Sequence, residues 1–335
     1  MSGLSPRHRF LPKRLGGAAS IAAALVLMAA CGSGPADDEA ADGPSEAEPA
    51  SVSMAVVPAA TFAPVFVGIE QGIFEKHGID LDIDVGGLAP TVFPRILSGD
   101  VDLGANTWGT LVTSREQGLP LVGIAPIDRG GETAEDDYQA IAVGQGGAAD
   151  LTELEGKTVG VPSLKSFTDS QVRSVLEEAG VDVSTVSFVA LPFPDMPAAL
   201  SAGRVDAVGV VEPFLSQIKQ QGGTALVPLS RGQLMGAIAA SEAFVQESPE
   251  VVKAFQAAWL ETLEYCQENE QAVRDALAEG LGFPEEAAAS ITLPIWITEA
   301  SREQVQEIAD MMLAVGGIDD EVDAASMMTA FPLED

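Results

Sequence analysis

Gly78-Ile79-Asp80-Leu81 is the first part of a pattern that this chain repeats. It leads to Leu97-Ser98-Gly99-Asp100-Val101-Asp102. Further on, Gly180-Val181-Asp182-Val183 leads at nearly the same spacing to Leu200-Ser201-Ala202-Gly203-Arg204-Val205-Asp206. Each copy is typical of a helix that ends at glycine, a strand, a short helix that ends at glycine, and a second strand. The repeat therefore predicts two similar α/β lobes with a ligand-binding crevice between them.

Outside the repeat, predicted strands and helices continue to alternate with short connections. This order favours mostly parallel sheets covered by helices, which is the α/β class with two Rossmann-like lobes. We expect a discontinuous first lobe of residues 52–143 and 234–335, and a second lobe of residues 144–233. Because the second lobe interrupts the first, two strands are expected to cross between the lobes as a hinge. The helical C-terminal region is expected to return to the first lobe.

The N-terminal residues are typical of a secretory signal. Residues 1–30 combine a basic start with an apolar, alanine-rich run that is short for a membrane span, and they end in Ala29-Ala30-Cys31. A cysteine after two small residues predicts a bacterial lipoprotein in which Cys31 carries the lipid; an ordinary secretory cleavage site is the alternative. Residues 31–51 then form an acidic segment rich in Gly, Pro, Ser and Ala, which predicts a disordered tether.

Charge and cysteine content narrow the possible partners. The formal net charge is −33, so nucleic acid and anionic lipid surfaces are unfavourable partners for the body of the protein. Cys266 is the one cysteine left beside Cys31, which excludes an intramolecular disulfide once Cys31 is lipidated. We expect a monomer that is held at the membrane only by its lipid anchor.

The sequence offers little for enzyme chemistry. After signal removal the chain keeps one histidine, His77, at a predicted helix C-terminus where it interacts with the helix dipole. One histidine and one thiol do not supply a Ser-His-Asp triad, a Cys-His pair or a soft metal site. Gly144-x-Gly146-x-x-Ala149 matches a dinucleotide fingerprint superficially, but the next strand follows too soon for the required helix. We therefore expect no catalysis, no cofactor and no metal.

Candidate ligand contacts lie where predicted strands end and helices begin. In open parallel sheets, ligands bind at the carboxyl ends of strands, where helix N-termini present free N–H groups. Any one of these residues can equally be a simple helix cap or a core residue. The candidates at these corners are Thr61, Phe62, Asn106, Thr107, Trp108, Ser163, Lys165, Ser166, Phe167, Asp195, Met196 and Glu212.

Several stretches, in this order, resemble one known family. They are Gly68-Ile69-Glu70-Gln71-Gly72-Ile73-Phe74, Leu154-Glu155-Gly156-Lys157-Thr158-Val159-Gly160-Val161, Met196-Pro197-Ala198-Ala199-Leu200, Glu212-Pro213-Phe214 and Ser248-Pro249-Glu250-Val251-Val252-Lys253-Ala254-Phe255, together with both copies of the repeat. This set is similar to bacterial solute-binding proteins of ABC importers, in the sulfonate, nitrate, taurine and thiamine-pyrimidine-precursor branch. The resemblance implies the type II periplasmic-binding-protein fold.

It also implies a function. Such a protein captures a small molecule and delivers it to transmembrane permease subunits served by a cytoplasmic ATPase. It works at the extracellular face of the cell membrane, or in the periplasm of a Gram-negative cell.

The ligand stays open between two chemistries. Lys165 beside a helix N-terminus suits a sulfonate, nitrate or carboxylate. Asp195 and Glu212 in the same crevice favour the N–H groups of an aminopyrimidine or amine, with Trp108 or Phe62 stacking on its ring. Two other functions remain as alternatives: an exported enzyme that uses crevice carboxylates, and a ligand-sensing lipoprotein that docks on a receptor.

Overall fold

The computed structural model describes residues 48–86 and 89–331, and within these ranges the two repeated units lie in two separate five-stranded sheets. The strands are β1 (Ala50–Val56), β2 (Ile79–Val85), β3 (Leu103–Thr107), β4 (Leu121–Pro126), β5 (Asp128–Arg129), β6 (Gln139–Val143), β7 (Thr158–Val161), β8 (Ser187–Ala190), β9 (Ala207–Val211), β10 (Thr224–Pro228), β11 (Gly236–Ser241) and β12 (Ile295–Trp296). The predicted signal segment, Cys31 and the tether before residue 48 lie outside the described residues.

Helices cover both sheets and dominate the C-terminal region. They are α1 (Ala63–Glu70), α2 (Ile73–Lys76), α3 (Ala89–Ser98), α4 (Trp108–Glu116), α5 (Phe167–Glu178), α6 (Met196–Ser201), α7 (Phe214–Gln220), α8 (Glu242–Glu247), α9 (Pro249–Glu268), α10 (Glu270–Glu279), α11 (Glu285–Ser290) and α12 (Arg302–Ala314). The expectation of an α/β fold in two lobes is confirmed.

The two sheets share one plan. The first has the order β2-β1-β3-β11-β4, with β1 parallel to β2 and to β3. The second has the order β10-β6-β9-β7-β8, with β7 parallel to β8 and to β9. Thus β1, β2 and β3 correspond to β7, β8 and β9, which is the arrangement that the repeated pattern predicts. In each sheet one further strand runs antiparallel to this core: β11 pairs with β3, and β6 pairs with β9. The last strand of each sheet, β4 or β10, is antiparallel to that strand and therefore runs in the direction of the core.

Within each copy of the repeat, the last aspartate makes the same hydrogen bond to a neighbouring strand of that copy. The backbone N–H of Ser53 donates to Asp102 Oδ2 at 2.8 Å, and the N–H of Thr158 donates to Asp206 Oδ2 at 2.9 Å. The carboxylate of the last strand in each unit therefore satisfies the backbone of the first strand. Gly99 and Gly203 end the preceding helices at φ values of +74° and +63°, a conformation that glycine adopts without strain. The repeated residues are scaffold.

Each face of the first sheet buries its own hydrophobic core. Neighbouring residues on a strand point to opposite faces, so Met54 and Ala55 enter different cores. Phe255 and Trp259 of the long helix α9 are fully buried in the core that contains Met54. The C-terminal helix α9 therefore packs against the first sheet.

The boundary between the lobes lies earlier than the sequence predicted. The sequence places the end of this part of the first lobe at Val143, because strand and loop patterns do not reveal pairing partners. The structure pairs β6 with β9 and β10, so this strand belongs to the second sheet. The chain passes between the sheets between Asp128 and Gln139, and returns between Pro228 and Gly236.

A C-terminal segment contacts both lobes. Helix α12 packs against α4 of the first lobe and α5 of the second. Just beyond it, the backbone of Gly317 approaches Ser170 so closely that an added Cβ would lie 2.1 Å from the Ser170 hydroxyl. Lys165 Nζ reaches Asp319 at 2.9 Å. This segment therefore adds a third connection between the lobes beside the two chain crossings.

Candidate functional site

The carboxyl ends of the parallel strands lie at one edge of each sheet, and the chain crossings join these two edges. In the first sheet, Thr107 at the end of β3 is opposite Gly236 at the start of β11. In the second, Val211 at the end of β9 is opposite Gln139 at the start of β6. Because each crossing begins or ends at these edges, the strand-to-helix corners of both lobes gather around the crossings. This is where open α/β sheets bind ligands.

A fully buried hydrogen-bond network occupies the first crossing. Asp128 has no exposed surface, and it accepts hydrogen bonds from the Tyr138 hydroxyl at 2.7 Å and from the Gly236 N–H at 2.9 Å. The Thr61 hydroxyl adds a further bond to the same carboxyl. Burial raises the pKa of Asp128 from 3.8 to about 7, because the hydrogen bonds only partly replace the lost hydration.

A second buried carboxyl links the two crossings to each other. Asp137 accepts hydrogen bonds from the Ser230 N–H at 2.8 Å and from its hydroxyl at 2.9 Å. The Gln139 side chain donates to the same hydroxyl at 2.6 Å. Burial raises the pKa of Asp137 despite these bonds. Two acidic groups therefore lie buried beside the hinge, and both are fully engaged with its backbone and side chains.

The lobes touch on the side covered by α4, α5 and α12. An added Cβ at Gly109 would lie 2.3 Å from the Phe167 ring, so this glycine lets the second lobe pack directly on the start of α4. Gln171, also on α5, donates to Gln233 at 3.3 Å and to the Met235 sulfur at 3.4 Å. The described conformation is thus closed on this side.

Several predicted contacts lie at the expected corners but also cap helices. Thr107 Oγ1 accepts from the Thr110 N–H at 3.2 Å at the start of α4, and Ser166 Oγ accepts from the Asp169 N–H at 3.2 Å at the start of α5. Glu212 is 5% exposed, and it accepts from the Ser216 N–H at 3.0 Å and hydroxyl at 2.9 Å. Thr61 and Asn106 are buried at the edge of the first sheet.

Other predicted contacts lie in the cores or at the surface. Trp108 is fully buried and packs over Gly123, while Phe62 and Met196 are also core residues. The faces expected to stack on a ligand, those of Trp108 and Phe62, are therefore packed against protein. Ser163, Lys165 and Asp195 are exposed; Lys165 pairs with Asp319, and Asp195 makes no side-chain cap bond.

The sequence reasoning missed the crossing residues and two aromatic rings. Asp128 and Tyr138 bound a polar stretch that the sequence indicates to be a loop, although Asp128 directly follows an apolar run, which marks a strand end. Phe193 and Phe214 stack on each other beside Glu212, with ring centroids 6.5 Å apart. Both rings belong to corners that the sequence identifies, but the candidates at these corners are their neighbours Asp195, Met196 and Glu212.

The described residues contain neither a cluster of metal ligands nor a membrane-spanning helix. Within residues 48–86 and 89–331, no group of three or more His, Cys, Asp or Glu side chains could hold a metal ion. In the same part of the chain, no helix is both long and apolar enough to cross a membrane.

Comparison with known proteins identifies a matching family and a related binding protein. A family model described as NMT1/THI5 like matches residues 59–273. The chain is 27% identical over 266 residues to a formylaminopyrimidine-binding protein of Halalkalibacterium halodurans, covering 75% of this chain and 74% of that protein.

Solved structures share the fold. The periplasmic aliphatic sulphonate binding protein of Escherichia coli matches with a TM-score of 0.72 and 16% identity, over 86% of this chain and 94% of that one. The periplasmic nitrate-binding protein of Synechocystis matches with a TM-score of 0.69 and 16% identity, over 84% and 86%. At these identities the likeness concerns the fold, which is that of periplasmic binding proteins.

Proposed function

We propose that this chain, which belongs to the NMT1/THI5-like family, is the substrate-binding protein of an ABC importer. The supporting observation is the pair of sheets whose strand ends meet around two chain crossings, an arrangement that lets two lobes open and close on a small molecule. The named relatives and fold neighbours above are binding proteins. We infer that this chain also binds its ligand without converting it.

The proposed ligand is a small organic nutrient held between the lobes. The relatives bind, by their names, a formylaminopyrimidine, an aliphatic sulphonate or nitrate, so a pyrimidine-like heterocycle and a small oxyanion are the two classes to compare. We propose contacts from Thr61, Asn106 and Thr107 on the first lobe, and from Ser166, Phe167 and Glu212 on the second. The other predicted residues support this site from the cores or lie at its rim.

The proposed location is the outer face of the cell membrane. The basic and apolar N-terminal sequence that ends at Cys31 supports export and lipid attachment. A monomer on the acidic tether could then swing its cleft towards a permease, with an ATPase on the cytoplasmic side. Mass spectrometry of the N-terminal peptide from the membrane fraction tests the anchor, because a diacylglyceryl group on Cys31 has a defined mass. An unmodified N-terminus beyond Cys31 would contradict it.

The function is tested by what the native protein carries. Native mass spectrometry of the full-length protein, extracted gently from its own membrane, is expected to show one small molecule that leaves on denaturation. The identified compound, added back to stripped protein, is expected to raise Tm and to change tryptophan fluorescence. Prolonged incubation should return it chemically unchanged, whereas a converted product would indicate an enzyme. A folded protein that carries nothing and responds to neither heterocycles nor oxyanions would refute the proposal.

A further inference from the structure

Two phenylalanines share the edge of the second sheet that faces the first lobe. Phe193 follows the end of β8, and Phe214 follows the end of β9, so two parallel strands place both rings at the same edge. Their ring planes are 12° apart and their centroids are separated by 6.5 Å, which is an offset parallel stack. The two rings are therefore nearly parallel to each other.

Neither ring is fully inserted in the core beneath it. Met196 and Leu215, which neighbour the pair along the chain, have no exposed surface, whereas Phe193 and Phe214 are both only partly buried against the same core. A ring needed only for packing gains most by full burial, since apolar stabilisation grows with the area removed from water. Part of the apolar area of both rings therefore stays exposed at this edge of the second sheet.

A carboxylate lies close to one of the rings along the chain. Glu212 is separated from Phe214 by one residue, and its backbone N–H donates to the Tyr138 carbonyl at 2.9 Å, which places it beside the first crossing. Its two oxygens accept two hydrogen bonds, both from Ser216. A carboxylate offers about four acceptor positions, so Glu212 retains capacity for N–H or O–H donors.

Three basic residues of the second lobe and of the return crossing are already paired with carboxylates. Lys165 pairs with Asp319, Arg173 pairs with Asp169 while lying 3.8 Å over the Phe188 ring, and Arg231 pairs with Glu178. An oxyanion that entered the cleft would have to break one of these pairs and would also meet the Glu212 charge. A neutral or cationic ring meets neither obstacle.

We propose that Phe193 and Phe214 form an aromatic platform on which the ligand's ring stacks, while Glu212 accepts hydrogen bonds from the ligand's N–H groups. The ligand class is a flat nitrogen heterocycle, neutral or cationic, with an exocyclic or ring N–H donor. Sulfonates and nitrate are selected against by the adjacent carboxylate. This inference rests on the proposed binding function and narrows its ligand to one chemistry.

The test replaces each ring by a side chain of similar apolar character without a flat face. Phe193→Leu, Phe214→Leu and the double variant are compared with Phe188→Leu, which removes a ring from the same lobe on β8, beneath Arg173. Calorimetry of the full-length protein measures Kd for the aminopyrimidine half of thiamine, the same ring without its amino group, ethanesulfonate and nitrate. Circular dichroism confirms that each variant is folded.

For the aminopyrimidine, each platform variant should bind about two- to tenfold more weakly and the double variant more weakly still, because one aromatic contact contributes on that order. Phe188→Leu should bind like the wild type, and loss of the amino group should weaken binding to the wild type. Equal Kd values in all the leucine variants would overturn the platform while leaving the binding function intact. A wild type that binds ethanesulfonate or nitrate but neither ring would overturn the ligand class alone. Failure of all four probes, together with a native protein that carries no ligand, would instead refute the proposed function.

Discussion

Asp128→Asn offers the sharpest test of the buried hinge. The substitution keeps the shape of the side chain, and its amide can still hydrogen-bond to Tyr138, Thr61 and Gly236 after the hydroxyl groups rotate. What it removes is the titrating proton. Since burial raises the pKa of Asp128 to about 7, the folded protein holds this proton at pH values where the unfolded chain has released it.

The direction and size of the effect follow from proton linkage. In the unfolded chain an aspartate titrates near its usual pKa of about 3.9, so between about pH 4 and pH 7 the folded state binds one more proton. The free energy of unfolding of the wild type therefore falls as pH rises through this window, by about 1.4 kcal/mol per pH unit. The protonated Asp128 side chain thus contributes about 4 kcal/mol to the free energy of unfolding at pH 4. This contribution is lost by pH 7 and stays lost at higher pH. Asparagine has no such loss.

The assay is urea unfolding of both proteins from pH 4 to pH 8. The stability difference between Asp128→Asn and wild type is expected to be near zero at pH 4, to rise towards pH 7, and then to level off in favour of the variant. Asp136→Asn is the control on the same segment: Asp136 is exposed, and hydrogen bonds from Thr133 lower its pKa, so its removal should not stabilise the protein. A difference that is independent of pH, or a variant less stable than wild type at pH 8, would refute the reasoning.

Four further predictions concern the candidate site, the contact between the lobes, the buried thiol and an exposed ion pair. Glu212→Gln should weaken the binding of an amino-bearing heterocycle in calorimetry, because the ligand's N–H groups lose a charged acceptor. Gly109→Ala should lower Tm and ligand affinity together, since the new methyl group meets the Phe167 ring and overpacking costs about 1–3 kcal/mol; unchanged Tm would contradict the close contact. Cys266 should resist thiol reagents at pH 8 until urea unfolds the chain, because burial raises its pKa to about 12. Lys165→Met should leave Tm almost unchanged, since its ion pair is exposed and such pairs contribute about 0–1 kcal/mol.

The scaffold could be predicted because its signals are local. The alternation of Ile79 to Val85 predicts a strand with the same bounds as β2, and the glycine stops at Gly99 and Gly203 lie where helices end. The repeated aspartates were visible as well, although only the structure shows that each bonds to a neighbouring strand. For these features the pattern within one repeated unit is sufficient, and contacts with distant segments are not needed to predict them.

The two crossings could be predicted, but their buried hydrogen-bond network could not, because its contacts join distant segments. Tyr138 and Asp128 are brought together with Thr61 and Gly236 only when both lobes have formed. The same limitation explains the misplaced lobe boundary, since the partners of β6 lie far along the chain. Trp108 is a candidate from the sequence because aromatic residues at strand ends often face ligands. In the structure its indole instead packs over Gly123 in the core.

The interrupted first lobe also sets an order for folding during synthesis. Strand β11 lies between β3 and β4 in the first sheet, yet it follows the entire second lobe in the chain. The second sheet, from Gln139 to Pro228, is complete in one continuous stretch, so its loops close at lower entropic cost. An emerging chain can therefore complete its second lobe while β3 and β4 still await their shared neighbour. Until β11 follows, the unpaired edges of these strands are the part of the nascent protein most exposed to aggregation and most dependent on chaperones.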